Sequence, residues 1–241
     1  MFDKPNQLIF YINVALTVFG ALVALLTGYV VIGLIIAICA ALLVWDQFRQ
    51  NKSTFIIGDL KKILTLHDAS GNKATLTQSQ MTTACHVDNT EYWFRHISAM
   101  GSISNFTVNH GRPEVQKSDN GSYQVRMTLT PGLKMTRGTD LTLSYQYEGA
   151  FTHPHQGILS HIVDCDTDRL HLIVEIPKGR TVTSARFYCM RNGHEEALLP
   201  PTISGQTRIE ADIRHPKRDA EYCLQWNWEK ESLMKKIGQI F

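Results

Sequence analysis

The residues whose types and spacing come closest to a metal site lie in the segment DCDTDRLHLIVE. Asp164, Asp166, Asp168 and Glu175 occupy positions 1, 3, 5 and 12 of a calcium-binding EF-hand loop. Position 6, where that loop needs glycine for its sharp turn, is Arg169, and the residues that follow alternate like a strand. The pattern therefore favours a solvated turn before a strand, and we predict no metal site here.

Histidines and cysteines offer a second set of possible ligands or nucleophiles. His153, His155 and His161 lie close together and three imidazoles can bind zinc, but no carboxylate stands at a companion spacing, which favours ordinary loop histidines. No nucleophile elbow, glycine-rich phosphate loop or paired-carboxylate motif occurs. We therefore predict no catalytic residue, no metal, no cofactor and no enzymatic activity. The four cysteines that follow residue 46 include no C-x-x-C pair and indicate free thiols in a reducing compartment: Cys85, Cys165, Cys189 and Cys223.

A short basic cluster is the only charged feature that suggests a ligand. Arg214, Lys217 and Arg218 fall in the segment IRHPKRD, which reads as a turn. Such a cluster is usually a solvated loop, and the alternative is contact with an anionic ligand or lipid headgroups. The formal net charge of +2 argues against general nucleic-acid binding. The ligand-binding residues thus stay open, with these three as candidates.

The N-terminal region contains a long apolar run whose length decides how it can be placed in a membrane. No charged residue lies between Lys4 and Asp46. A single helix over 8–45 would be about 57 Å long, against about 30 Å for the hydrocarbon core of a bilayer. We predict two transmembrane helices, 8–27 and 29–45, joined by a turn at Gly28 and Tyr29. A signal peptide and a helical hairpin buried in a globular core are weaker alternatives.

Flanking charges and small residues extend this prediction. Basic residues precede the first span and follow the second, so the positive-inside rule predicts that both termini and the rest of the chain lie on the cytoplasmic side of the membrane. An extracytoplasmic domain is the alternative. Polar and small residues recur at helical spacing and predict close packing, either within one hairpin or between hairpins around a pore. These packing candidates are Asn13, Thr17, Gly20, Ala24, Gly33, Ala37 and Ala41.

After the apolar run the sequence period changes from helical to two. We predict a juxtamembrane connector over 46–60, a β domain over 61–228 and an amphipathic tail over 229–241 that forms a short helix or touches a membrane or partner. Eight or more short alternating strands, punctuated by turns such as Asn192-Gly193, favour antiparallel pairing. The predicted fold class is therefore a membrane-anchored protein with a two-helix transmembrane hairpin, an all-β antiparallel sandwich or barrel, and a short C-terminal helix.

This organisation, an apolar hairpin over 8–45 followed by alternating strands from Ile63 to Trp228, resembles the two-transmembrane, β-rich effectors of bacterial antiphage systems, of the CBASS type or associated with retrons. The resemblance implies a β domain that senses an infection signal, a cyclic oligonucleotide in CBASS, and hairpins that self-associate and disrupt the inner membrane as a toxin in abortive infection. Expected partners are the lipid bilayer, further copies of the chain, and a cyclic oligonucleotide or protein. The alternative is a non-toxic membrane-tethered adaptor whose β domain docks another protein.

Overall fold

The computed structural model describes residues 19–20, 38, 55–85, 90–98, 101–119, 121–129, 138–153 and 156–230. The chain divides into two compact units, Met1–Ser53 and Thr54–Phe241. Residues 19, 20 and 38 are helical, and the second unit is built from strands. In chain order these strands are β1 (Phe55–Leu66), β2 (Lys73–Ala84), β3 (Glu91–Ile97), β4 (Ser102–Val108), β5 (Pro113–Lys117), β6 (Tyr123–Thr128), β7 (Thr139–Glu148), β8 (Gln156–Val163), β9 (Asp166–Glu175), β10 (Arg180–Arg191), β11 (His194–Ala197), β12 (Thr202–Ser204), β13 (Arg208–Arg214) and β14 (Ala220–Lys230).

The described strands pair into three sheets. The first has the order β12-β13-β9-β1-β2-β7-β4, the second β11-β10-β14-β8 and the third β3-β6-β5. Every pair is antiparallel except β1 with β9, which run parallel. Strand β9 lies inside the first sheet between β1 and β13, and three consecutive residues of it are buried: Leu172, Ile173 and Val174. A strand covered on both faces needs this continuous apolar run rather than alternation.

The β1–β2 hairpin follows from the sequence pattern, and its turn is held by a carboxylate. Asp68 accepts hydrogen bonds from the backbone N–H groups of Ser70 (2.9 Å), Asn72 (3.1 Å) and Lys73 (2.6 Å). Burial raises the pKa of Asp68, but a hydrogen bond from the Ser70 hydroxyl and these three backbone bonds outweigh it and hold the pKa at about 2. The next glycine, Gly71, has φ +73°, so the turn requires a residue without a Cβ.

The core lies between the sheets and is rich in aromatic side chains. Strand β14 alternates as the sequence predicts, with Tyr222, Leu224, Trp226 and Trp228 all buried. Trp226 stacks on Phe151 at 6.1 Å between ring centroids. This aromatic layer backs the second sheet and reaches the cavity described below.

The membrane-anchored fold class predicted from the sequence requires correction. Among the residues that the structure describes, no helix is long and apolar enough to cross a membrane. Their apolar side chains are instead buried between β-sheets, and β1 with β9 breaks the expected antiparallel pattern. The predicted multi-pass inner-membrane localisation, with both termini and the β domain cytoplasmic, is contradicted by the same finding. The spans 8–27 and 29–45 lie outside the described residues apart from 19, 20 and 38.

Boundaries also differ from those expected. Strand β1 begins at Phe55, inside the segment predicted as a connector, because its side chains already alternate between buried Ile57 and exposed Ile56. At the other end β14 runs to Lys230, so the first two residues of the predicted tail are strand rather than helix. The rest of that tail, 231–241, lies outside the described residues.

Candidate functional site: a basic, aromatic-walled cavity

A cavity of about 690 Å³ lies where the three sheets meet, within the second unit. Its size is that of a pocket for a small organic molecule or a short peptide. Its lining contains aromatic side chains and the cationic or titratable side chains of one lysine, one arginine and two histidines, but no aspartate or glutamate among the described residues. The residues that characterise it are Lys62, His96, Tyr145, Tyr147, Phe151 and Arg186.

One wall of the cavity is the edge of strand β8. Five consecutive residues, Gln156–Ser160, line the cavity. Side chains of successive residues point to opposite faces of a sheet, so a run of five places the cavity along the side of the strand rather than over one face. In the described part of the chain β8 has one neighbouring strand, β14. Backbone groups of β8 therefore form part of the site.

Lys62 is the buried charge of the site. It lies on β1 with only 6% of its surface exposed, and its Nζ donates a hydrogen bond to the carbonyl oxygen of Ser160 at 2.9 Å. Burial lowers the pKa of the Lys62 ammonium to about 8, and the charge of Glu221 opposes this shift. An ammonium has three donors, so its bond to Ser160 leaves capacity for a ligand's carboxylate, sulfonate or phosphate.

Arg186 presents a second positive charge at a more exposed point of the wall. Its Nε donates to Oε1 of Gln225 at 2.7 Å and its Nη1 to Oε1 of Glu195 at 2.7 Å. The guanidinium also lies over the ring of Tyr188, 4.5 Å from the centroid. A guanidinium has five N–H donors in a rigid fork, so these contacts fix its orientation while using two donors. Arg186 is thus oriented before a ligand arrives.

Aromatic side chains form an apolar part of the cavity wall. The rings of Tyr145 and Tyr147 meet edge to face at 5.2 Å, and those of Tyr147 and Phe151 at 5.4 Å. The two tyrosine hydroxyls lie 3.2 Å apart, and that of Tyr147 donates to the carbonyl of Ser98 at 3.4 Å. Burial raises the pKa of Tyr147 to about 12, with the bond to Tyr145 opposing it. The hydroxyls are neutral donors at physiological pH, so this wall suits planar or apolar groups.

Histidines surround the lysine. His161 lies on β8, and its pKa is well below the usual value, because of burial first and the charges of Lys62 and His96 second. His96 lines the cavity at a bulge in β3, with φ 57°, where the register against β6 shifts. His153 lines it too, and its carbonyl accepts a hydrogen bond from Nε1 of Trp228 at 3.2 Å. His161 is therefore neutral at physiological pH, and the permanent positive charges of the cavity lining are those of Lys62 and Arg186.

The basic cluster predicted as the ligand-binding candidate lies elsewhere. Arg214 ends β13 opposite Arg169 in the register. Lys217 forms an ion pair with Glu196 at 3.0 Å, and Arg218 is half-buried in the turn before β14. None of the three lines the cavity. Their role in ligand binding stays a prediction, because nothing in the structure tests it.

The fold does not bring together the other residues that the sequence suggested as possible metal ligands. Asp166, Asp168 and Glu175 belong to β9, so the residues at EF-hand spacing form a strand and not a loop around an ion. His153 and His161 are described and His155 is not. In the described residues no group of three metal-ligating side chains is present. The predicted helix-packing residues lie outside the described part, except Gly20: Asn13, Thr17, Ala24, Gly28, Tyr29, Gly33, Ala37 and Ala41.

The site residues could have been found in part from the sequence. In KKILTL the buried positions are Lys62, Leu64 and Leu66, so strict alternation places a lysine on the apolar face of β1. A charged residue on the buried face of a strand is a signal of function or of a specific partner. The convergence of Arg186 and Tyr145 on that lysine depends on sheet packing and had no signal in the sequence.

Comparison with known proteins finds only partial structural likeness. No protein-family model and no curated protein matches the chain. Solved structures with partial likeness include a protease candidate from Parabacteroides distasonis (TM-score 0.43, 11% identity, 73% of this chain and 41% of that one). They also include the M1 zinc metallopeptidase of Deinococcus radiodurans (0.36, 11%, 72% and 42%) and native yeast LTA4 hydrolase (0.42, 6%, 71% and 29%). The chain spans less than half of each.

These comparisons contradict two predictions made from the sequence. The structures named are peptidases and a hydrolase, against the expectation of a non-enzyme. They give no support to a membrane effector of abortive infection or to its alternative, a membrane-tethered adaptor, and the described residues contain no spanning helix. With TM-scores below 0.5 they assign no activity to this chain. The resemblance to antiphage effectors and the expected partners are untested and stay predictions.

Proposed function

We infer that the Thr54–Phe241 unit is a binding domain for organic anions that carry a planar or apolar group. The observation that carries this inference is the cavity itself, in which a buried lysine and a pre-oriented arginine face an aromatic wall with no lining carboxylate. A cation in such a site is only partly hydrated, so an anionic ligand gains more from it than in water. The aromatic wall supplies the apolar contact area that fixes the ligand's orientation.

The two cations are expected to contribute differently. Lys62 is buried and hydrogen-bonded to a backbone carbonyl, so it acts as a fixed point charge inside the cavity. Arg186 keeps 56% of its side chain exposed, so it meets the ligand at the cavity mouth and its contribution is screened by salt. Removal of Lys62 should therefore reduce affinity at all salt concentrations, and removal of Arg186 chiefly at low salt.

The test is a pair of probes that differ only in charge. Titration of the full chain with 2-naphthoate and with 2-naphthamide, followed by calorimetry and by tryptophan fluorescence, should show at least tenfold tighter binding of the acid. Trp226 is a useful reporter because it stacks on Phe151, which lines the cavity. Equal affinity for the two probes, or no binding of either, would overturn the proposed function.

A matched pair of arginine variants locates the binding. Arg186→Gln should weaken 2-naphthoate at least fivefold at low salt. Arg208→Gln serves as the control, because Arg208 is also an exposed arginine paired with carboxylates, those of Glu175 and Glu210, but lies outside the cavity lining. A cyclic oligonucleotide, the signal class that the resemblance implies, belongs in the same titration as a competitor, with a cyclic dinucleotide as the probe, and its binding stays a prediction.

A further inference from the structure

The cavity-facing edge of β8, which has no neighbouring strand among the described residues, indicates what kind of ligand the cavity takes. In an antiparallel pair, successive residues point their backbone N–H and C=O groups alternately toward and away from the partner strand. The N–H of Leu198 donates to the carbonyl of Phe187 at 3.0 Å, so Phe187 turns its backbone groups toward β11 and the next residue, Tyr188, turns them toward Cys223 of β14. The following residue of β14, Leu224, therefore faces β8, where it pairs with Leu159. The carbonyl of Ser160 instead accepts from Lys62, across the cavity. Even-numbered residues of β8 therefore turn their backbone groups away from β14, toward the cavity.

This alternation exposes a short row of backbone donors and acceptors. Gln156 and Ile158 share the orientation of Ser160, and both line the cavity. Together they offer two N–H and two C=O groups. The stretch Gln156–Ser160 is about 16 Å long at strand spacing, which matches four to five residues of an extended chain. A row of this kind is a template for an added strand.

Lys62 marks where such a strand would end. Its ammonium already occupies the edge position at Ser160, so an added strand that pairs with Gln156 and Ile158 meets a positive charge at its next residue. A polypeptide that stops at that point presents its terminal carboxylate there. The direction is then fixed: the added strand runs parallel to β8, with its C-terminus beside Lys62. Tyr145 and Tyr147 line the same cavity and offer apolar surface to the side chains of the added strand.

We propose that the cavity binds the C-terminal segment of a partner polypeptide, which pairs with the Gln156–Ile158 edge of β8 and places its terminal carboxylate on Lys62. This proposal rests on the proposed function, because it names the organic anion as a peptide carboxylate. The charges agree with it: the lining carries Lys62 and Arg186 and, among the described residues, no carboxylate, and the nearby Glu195 is engaged in an ion pair with Arg186 at 2.7 Å.

The first test varies the peptide. A library of hexapeptides randomised over the last four residues, with a free C-terminal carboxylate, is screened against the full chain, and the tightest member is then made as the C-terminal amide. The free acid should bind at least twentyfold more tightly than the amide. N-methylation of successive backbone nitrogens should weaken binding at least tenfold at alternate residues and little at those between. Equal binding of acid and amide, or no binding member, would overturn the proposal.

The second test varies the strand. Ile158 is 43% exposed and its N–H points away from β14, so Ile158→Pro removes one cavity-facing donor without removing a β8–β14 hydrogen bond. Ile158→Ala is the matched control, because it shortens the side chain and keeps the N–H. The proline variant should bind the peptide at least tenfold more weakly than the alanine variant, and equal affinity of the two variants would contradict the pairing with β8.

The outcomes separate the two inferences. Binding of 2-naphthoate together with the absence of peptide binding would reject the peptide and leave the anion site standing, and the absence of both would reject the site itself. Sedimentation velocity gives a further arm. If the full chain self-associates and Ile158→Pro abolishes that association, the β8 edge pairs with a second copy, and the partner peptide is rejected. If Ile158→Pro unfolds the chain, the alternating N-methylation pattern decides alone.

Discussion

Lys62→Met should change the dependence of stability on pH in a way that no other single substitution in β1 does. Lys62 is buried, and its pKa in the folded chain is about 8, against about 10.5 for an exposed lysine. Below pH 8 the folded protein carries this ammonium at a cost, because burial has removed most of its hydration. Methionine is similar in length and uncharged, so the variant does not carry that cost at any pH.

The sign and size follow from proton linkage. A pKa lowered on folding means that the unfolded chain binds more protons between pH 8 and pH 10.5, so stability of the parent rises with pH across this window. The full change is about 3 kcal/mol, from roughly 1.4 kcal/mol per pKa unit. Cysteines and tyrosines whose pKa values are raised in the folded chain, such as Cys165, make the folded protein less stable at alkaline pH. They are common to both proteins and cancel in the difference.

The assay is urea unfolding of parent and variant at pH 7, 8, 9 and 10, followed by tryptophan fluorescence. Above pH 8 the free energy of unfolding of the parent should rise, relative to that of Lys62→Met, by about 1 kcal/mol per pH unit. Leu64→Val is the control, because Leu64 is buried two residues further along β1 and does not titrate, so its cost of about 1 kcal/mol should be the same at every pH. A difference between parent and Lys62→Met that stays constant from pH 7 to pH 10 would refute the reasoning.

Three further substitutions test how the fold is held. Gly71→Ala should destabilise by more than about 2 kcal/mol, seen as a lower urea midpoint, since its Cβ would lie 1.9 Å from the carbonyl oxygen of Phe151 at φ +73°; an unchanged midpoint would contradict the turn geometry. Arg180→Met should cost about 1–3 kcal/mol, because the buried guanidinium lies 4.5 Å from the Trp228 ring centroid and donates to a carbonyl. Arg208→Ala should lower the free energy of unfolding by less than about 1 kcal/mol, because both ion pairs of Arg208 are partly exposed to solvent. A larger loss of thermal stability would show that the ion pairs act as a network.

The sequence predicted the strands whose side chains alternate and missed those governed by tertiary burial. Period-two patterns in β7 and β14 led directly to their buried faces. The parallel pairing of β1 with β9 had no local signal, because register between distant segments depends on which faces the sheets cover. Strand β2 has polar rather than apolar residues on part of its buried face: Gln78, Gln80 and Thr82. The side chain of Gln78 donates a hydrogen bond to that of Gln80 at 2.8 Å, and Gln80 donates to the hydroxyl of Thr82 at 3.0 Å.

The candidate site was harder to predict than the fold because its parts are ordinary in isolation. The sequence predicts the basic cluster Arg214, Lys217 and Arg218 as a candidate because three charges lie close together in the chain. In the fold, Lys217 forms an ion pair on the surface. Lys62 is not among the candidates predicted from the sequence, although its place on the apolar face of β1 is the more informative signal. A charge gains chemical significance from burial and from what it faces, and both are properties of the assembled sheets.

Proton uptake on ligand binding would connect the lysine's pKa to the proposed function. An anion placed beside Lys62 favours the ammonium and raises its pKa above 8, so binding of 2-naphthoate should take up roughly half a proton at pH 8 and almost none from this lysine at pH 6. Calorimetry in phosphate and in Tris buffer measures the uptake through their different ionisation enthalpies. In Lys62→Met the uptake at pH 8 should disappear, whereas in Arg186→Gln it should persist with weaker binding, since an arginine stays charged throughout. Uptake that survives in Lys62→Met would place the titrating group elsewhere in the cavity and separate the anion from the lysine.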